Sequence, residues 1–158
     1  MAREQNTPRS PCPSVYNKTM LKIPQKLLDQ IHEHLEAAYP EEGVGFLIGK
    51  GEDSRQVIAL YPVENASPKE VRSTRYDVAP KDIIEADEKA EAMGLELIGA
   101  FHSHPDHPEK PSETDLKLAQ PHFSYMISSI IKGKAISTRS WLLEEDRKGF
   151  REEEIEKI

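Results

Sequence analysis

At 158 residues, with 31% charged and 37% hydrophobic residues, the chain fits one soluble domain whose core needs no disulfide support. Its formal charge of −7 argues against a nucleic-acid surface, where a basic face is expected. The apolar runs are too short to span a bilayer and the first residues lack the core of an export signal, so a cytoplasmic location without membrane partners is the expectation.

Residues 1–18 are polar, with Pro8, Pro11 and Pro13, and read as a flexible leader before a single domain over 19–158. The lone Cys12 lies in that leader and makes neither an internal disulfide nor a cysteine-based metal site. Met20-Leu21-Lys22-Ile23 reads as a short first strand. Pro24 suits the first turn of a helix, and Leu27, Leu28, Ile31, Leu35 and Ala38 follow at helical spacing until Pro40 ends it. Val44-Gly45-Phe46-Leu47-Ile48-Gly49 reads as a buried strand, with glycines where a neighbour approaches closely, and Gln56 to Tyr61 as its hairpin partner.

After the polar loop from Asn65 to Ser73, Thr74-Arg75-Tyr76-Asp77-Val78 is expected as a short strand. Pro80 opens a second helix that runs to about Met93 and is stopped by Gly94. Leu95 to Phe101 reads as a mostly buried strand, Ser112 to Leu118 as a short third helix, and Phe123 to Ile131 as another core strand. Thr138 to Leu143 and Phe150 to Ile155 read as a final hairpin, packed by Trp141 and Phe150. Interspersed strands and helices predict an α/β domain on a mixed sheet flanked by helices.

The strand ending at Phe101 delivers His102-Ser103-His104-Pro105. Side chains two apart on a strand share a face, so His102 and His104 can converge on one metal ion while Ser103 points away. His32 and His34 carry the same spacing on a helix, where a two-residue step turns roughly 200° and the rings diverge. Ser112-x-x-Asp115 has the form of a helix cap, and beside the two histidines its carboxylate becomes a third ligand. Two His and one Asp leave a position for water, as in a catalytic rather than a structural zinc site. Hydrolysis also needs a general base that is not a ligand. Glu42, at the mouth of the strand from Val44, is the candidate, with its neighbour Glu41 as the competitor. His107, in the loop after the histidines, reads as a solvent-exposed loop residue.

Glu42-x-x-Gly45, His102-Ser103-His104-Pro105 and Ser112-x-x-Asp115, with seven residues between His104 and Ser112, together resemble the motif of the JAMM (MPN-plus) metalloproteases. The resemblance runs from Met20 to the C-terminus and takes in Tyr39-Pro40-Glu41-Glu42 and Pro111-Ser112-Glu113-Thr114-Asp115. It implies a single MPN domain of the JAB1 type, cytidine-deaminase-like, with a curved mixed sheet. It also implies one zinc ion per chain on His102, His104 and Asp115, with Glu42 as general base and Ser112 stabilising the oxyanion. Inactive MPN scaffolds of the family lack one or more of these residues, and none is missing here. A non-catalytic scaffold module is therefore the lesser alternative, followed by a zinc peptidase of other peptides. A zinc deaminase needs a Cys-x-x-Cys pair that a single cysteine excludes.

The short tail after Asp115 resembles the compact prokaryotic type, whose relatives act on β-grasp sulfur carriers of the ThiS/MoaD kind. The resemblance thus implies cleavage after the C-terminal tail of a ubiquitin-like or sulfur-carrier protein. An extended Gly-Gly tail would add beside a sheet edge, with Thr74–Val78 and the Asp106–Lys110 loop as groove walls. The pattern leaves open the oligomeric state and the choice between peptide and isopeptide bonds.

Overall fold

The computed structural model describes residues 19–158; the expected leader, and Cys12 with it, lie outside the described residues. The elements run β1 (Met20–Ile23), α1 (Gln25–Ala38), β2 (Val44–Lys50), β3 (Ser54–Val63), α2 (Pro80–Ala92), β4 (Glu96–Pro105), α3 (Glu113–Leu118), β5 (Ser124–Ile131), β6 (Lys134–Leu143) and β7 (Phe150–Lys157). The strands pair in the order β1-β3-β2-β4-β5-β6-β7, and β1 also pairs with β7, so the sheet closes into a barrel. The β4–β5, β1–β3 and β1–β7 pairs are parallel and the others antiparallel, which is the mixed α/β sheet that the sequence predicts. Closure is an addition to that expectation, and it rests on one short strand joining two distant ones.

Each face of the sheet carries its own core. Leu28, Ile31 and Leu35, at helical spacing on α1, pack with Leu47, Phe101, Met126 and Ile130. On the other face Ala86 of α2 joins Val44, Phe46, Ala100 and Tyr125, with Trp141 and Phe150 packed against them. Burying each large side chain stabilises the fold by roughly 1.5–3 kcal/mol. Gly45 is required by this packing: a Cβ there would stand 2.2 Å from the Phe101 ring. The tip of the Phe101 ring therefore presses on β2 at Gly45, beside the strand that bears the histidines.

Three expectations need correction. The strand predicted to end at Phe101 continues to Pro105, because β5 extends the parallel ladder through His102, His104 and Pro105. Thr74–Val78 is not a strand: the Arg75 carbonyl and the Asp77 N–H are taken by the Asn65 side chain rather than by a neighbouring strand. Finally, β6 begins at Lys134 and forms a hairpin with β5 as well as with β7. Lys132 and Gly133 both adopt positive φ (50° and 84°) in this tight turn, the twist that suits a two-residue hairpin.

Candidate metal centre

Alternation along β4 places His102 and His104 on one face, both buried. The strand is laddered to Val44 of β2 at His102 and to Ile127 and Ser129 of β5 at the two histidines, so little backbone freedom remains. Their Nε2 atoms lie 3.2 Å apart. Ser103 points the other way, as expected. Its N–H donates to the Gly43 carbonyl (3.1 Å), and its Oγ accepts from the Gly43 N–H (2.8 Å).

The third group arrives on α3. Ser112 caps this helix: its Oγ accepts from the Asp115 N–H (3.0 Å), and the Asp115 carboxylate accepts from the Ser112 N–H (2.8 Å). This reciprocal cap aims the carboxylate at the histidines. Oδ1 lies 3.3 Å from His102 Nε2, and Oδ2 lies 3.2 Å from His104 Nε2. Ser112 accepts in the cap through a lone pair, which leaves its O–H proton for a ligand in the cavity that it lines.

The three atoms fit a metal. Ligands about 2.0–2.1 Å from a tetrahedral zinc stand about 3.3 Å from one another; the two Nε2 atoms are 3.2 Å apart, and one atom from each of the three residues lies within 4.8 Å of the others. The His104 Nδ1 lies 2.8 Å from the Pro108 carbonyl, an acceptor only, so Nδ1 carries the proton and Nε2 presents a lone pair. The buried His102 Nδ1 meets no hydrogen-bond partner, and the Tyr76 ring lies against that imidazole with centroids 4.7 Å apart.

The local charges follow from this convergence. Burial pushes the Asp115 carboxyl up, but the hydrogen bonds and charge of the two imidazoles outweigh it and hold the group well below the usual carboxylate range. Burial disfavours a charged His104, yet Asp115, the Pro108 carbonyl and Glu42 together carry its pKa upward. The cluster attracts a cation, be it a proton or a metal.

Glu42 is 6% exposed and lines the same cavity, of about 310 Å³, as His104 and Ser112. Its main chain is held on both sides, by the Arg72 carbonyl (2.6 Å) and by Asn65 Nδ2 (3.0 Å). Burial pushes its pKa up to about 7; the Asp115 charge adds to this and His104 opposes it. Glu41 does not line the cavity and reaches Arg72 instead (3.9 Å).

Ser73 and Thr74 form one wall of the cavity and His107, Pro108 and Lys110 another, so each expected groove wall contributes in part. His107 lines the cavity but stands outside the three-residue cluster. The two helical histidines diverge as expected: His32 meets Thr138 (2.8 Å) and His34 the Val44 carbonyl (3.0 Å).

Sequence reasoning missed Asn65, Tyr76 and Trp141. The Trp141 Nε1–H donates to the Glu109 carbonyl (3.1 Å), while Ser129 Oγ holds the His107 carbonyl (2.6 Å). With His104 on Pro108, three successive carbonyls of the loop are anchored. Trp141 is half-buried, and an indole N–H in such a place finds a partner.

A family model described as the prokaryotic homologs of the JAB domain matches residues 24–144, a span that holds all five of these motif residues. The chain belongs to this prokaryotic JAB family. It is 34% identical over 119 residues to the probable TtuB-protein conjugate cleaving protease of Thermus thermophilus, covering 75% of this chain and 76% of that one. It is 33% identical over 106 residues to the desampylase of Haloferax volcanii, covering 65% of this chain and 73% of that relative. A solved structure from Desulfitobacterium hafniense superposes with a TM-score of 0.75 at 32% identity, over 86% of this JAB-family chain and 91% of that one.

Proposed function

We propose that this JAB-family protein is a zinc-dependent peptidase or isopeptidase that cuts after the C-terminal tail of a ubiquitin-like or sulfur-carrier β-grasp protein. The carrying observation is the convergence of His102, His104 and Asp115 at 3.2–3.3 Å beside a cavity lined by Glu42 and Ser112. The Thermus relative, named for cleaving a protein conjugate, supports a substrate of that kind. The complete residue set and the protease relatives weigh against the scaffold alternative.

His102 and His104 would hold one Zn²⁺ through their Nε2 atoms, and Asp115 through its carboxylate. When bound, the ion supplies Lewis acidity, polarising a substrate carbonyl and making a nearby water more acidic. Glu42 receives the proton of the attacking water on its carboxylate and passes it to the leaving nitrogen as the C–N bond breaks. For this the carboxylate must begin ionised, a state that a cation held by the histidines and Asp115 would favour over the protonated one. Ser112 donates its O–H to the oxygen that gains charge during attack. The open cavity, of about 310 Å³, suits an extended chain with little side-chain volume, such as a tail of glycines.

Glu42→Gln tests the assignment. The variant is expected to keep one zinc per chain by metal analysis while cleavage of a tail-linked conjugate disappears. Unimpaired turnover in the variant would sink the role of Glu42. Loss of its zinc would show that Glu42 belongs to the ligands instead.

A further inference from the structure

We infer that Asn65 is the positioning residue that sets Glu42 against the cavity, by tying the Glu42 main chain to the 66–77 segment. This inference rests on the functional reading above for its activity arm. Asn65 follows β3 and uses every hydrogen-bonding capacity of its amide. Its Nδ2 donates to the carbonyls of Glu42 and Arg75, each at 3.0 Å. Its Oδ1 accepts from the N–H of Ser67 (3.0 Å) and of Asp77 (3.2 Å). Reversing the amide would set donor against donor and acceptor against acceptor at all four contacts, so the chemistry dictates its orientation.

The four partners explain what the residue organises. The Ser67 contact turns the chain, and the Asp77 and Arg75 contacts draw its returning limb alongside. Between these limbs lie Ser73 and Thr74, which line the cavity, and next to them Tyr76, whose ring covers His102. The Ala66 N–H also donates to the Asp77 carbonyl (2.8 Å), and among the described residues the limb does not pair with the sheet as a strand. The Glu42 contact joins the assembly to the buried carboxylate that lines the same cavity. From the other flank, the Arg72 carbonyl accepts the Glu42 N–H, and Gly43 is held by Ser103 beneath the histidines. Glu42 is thereby referenced both to the histidine strand and to the wall that a substrate passes. Ser103 holds the first reference, and the Asn65 side chain shares the second with the Arg72 carbonyl.

Removing the tie lets the Glu42 main chain and the wall move relative to each other. A misplacement of about 1 Å at a reacting group costs on the order of 10²-fold in rate. The experiment compares Asn65→Ala and Asn65→Asp with Arg72→Ala in the full chain. Aspartate keeps the two acceptor contacts but turns a carboxylate toward the Glu42 and Arg75 carbonyls. Arg72→Ala removes the side-chain contacts to the Ser67 carbonyl (2.7 Å) and to Glu41 (3.9 Å), and it keeps both the Asn65 tie and the backbone carbonyl that accepts the Glu42 N–H. Both Asn65 variants are expected to lose roughly 10–100-fold in kcat with KM changed less than about threefold. Zinc content stays at the wild-type level, and Arg72→Ala keeps kcat near wild type.

Amide hydrogen exchange on the metal-free proteins reads the same tie without turnover. Asn65→Ala is expected to lose protection at Ser67 and Asp77, whose N–H groups donate to Asn65. It should also lose protection at Glu42, whose N–H bond to the Arg72 carbonyl loosens once the Glu42 carbonyl is untied, while Gly43 stays protected. A kcat in Asn65→Ala within about threefold of wild type overturns the inference. So does an equal loss in Arg72→Ala, which would assign the effect to general looseness of the segment. Should the zinc-loaded wild type cleave no conjugate, the functional reading fails on its own. The exchange arm then decides the tie: unchanged protection at Glu42 in Asn65→Ala overturns it.

Discussion

Two buried polar clusters stand roughly 20 Å apart along β4, and they solve the problem of buried charge in opposite ways. At the strand's start, Arg55 donates to the carbonyls of Ile98 (2.9 Å) and His122 and to Ser124 Oγ, and it pairs with Glu153 at 3.4 Å. Glu153 in turn accepts from the hydroxyls of Ser124 (2.6 Å) and Ser140 (3.1 Å). Donors and acceptors are matched, and the cluster is closed. At the strand's end, two imidazole Nε2 atoms and a carboxylate crowd within 3.3 Å, all of them suited to accept. A matched cluster holds a fold together, whereas an excess of converging acceptors calls for a cation.

Breaking the matched end should produce the largest effect on folding. Glu153→Ala leaves the Arg55 guanidinium buried without its counter-charge, and urea unfolding should show a loss of about 3–5 kcal/mol. Replacing both partners together, as Arg55→Met with Glu153→Leu, should cost much less, because no charge is stranded. Zinc content should be unaffected in either case, since the metal centre lies at the other end.

Hydroxyls sharpen the contrast. Ser124 gives its proton to Glu153, whereas Ser112 accepts in its cap and keeps a proton to donate. Ser112→Ala should lower kcat by about 10²–10³-fold, equivalent to about 2.7–4 kcal/mol. Its stability should fall by only about 1 kcal/mol through the lost cap. Ser124→Ala should alter stability without that loss of turnover.

The pH dependence of the metal-free protein follows from the unmatched end. Glu42 titrates near 7 in the folded chain, against an ordinary 4.5, so between these values the folded state holds a proton that the unfolded state has released. Stability must then decline as pH rises through that window, by about 3 kcal/mol at most. The raised His104 acts in the same sense, its contribution fading as pH rises through its folded pKa. Metal-free Glu42→Gln should therefore unfold at higher temperature than metal-free wild type at pH 8, and the two should converge near pH 5. Bound zinc should reverse the trend, because the histidines must shed protons to bind it.

The smallest expected change lies in the loop that bears Pro108. Trp141→Phe removes one N–H···O=C bond to Glu109 and should cost about 1 kcal/mol in thermal unfolding. A severalfold drop in kcat/KM should accompany it, because Pro108 in that loop orients His104.

Much of this was legible before the fold was known, for local reasons. The apolar spacing of Leu28, Ile31 and Leu35 names a helix and its buried face, and alternation alone puts His102 and His104 together. The cap from Ser112 to Asp115 spans three residues and can be read directly. Position alone left Glu42 beside Glu41 as a competitor; the Glu42-x-x-Gly45 spacing favoured Glu42, and in the fold Glu42 alone of the two is buried at the cavity. Thr74–Val78 was misread because alternating residues resemble a strand, while its hydrogen bonds go to the side chain of Asn65. Barrel closure was illegible for a related reason: β1 pairs with β3 and β7, and such distant parallel pairing leaves no local trace.

Zinc content decides the central claim most directly. Full-length wild type, His104→Ala and Ser124→Ala would be purified together, stripped, reloaded with zinc, desalted and analysed for metal. About one zinc per chain is expected in wild type and Ser124→Ala, and almost none in His104→Ala. Equal metal in all three proteins, or none in the wild type, would contradict the assignment of the unmatched cluster as a zinc centre.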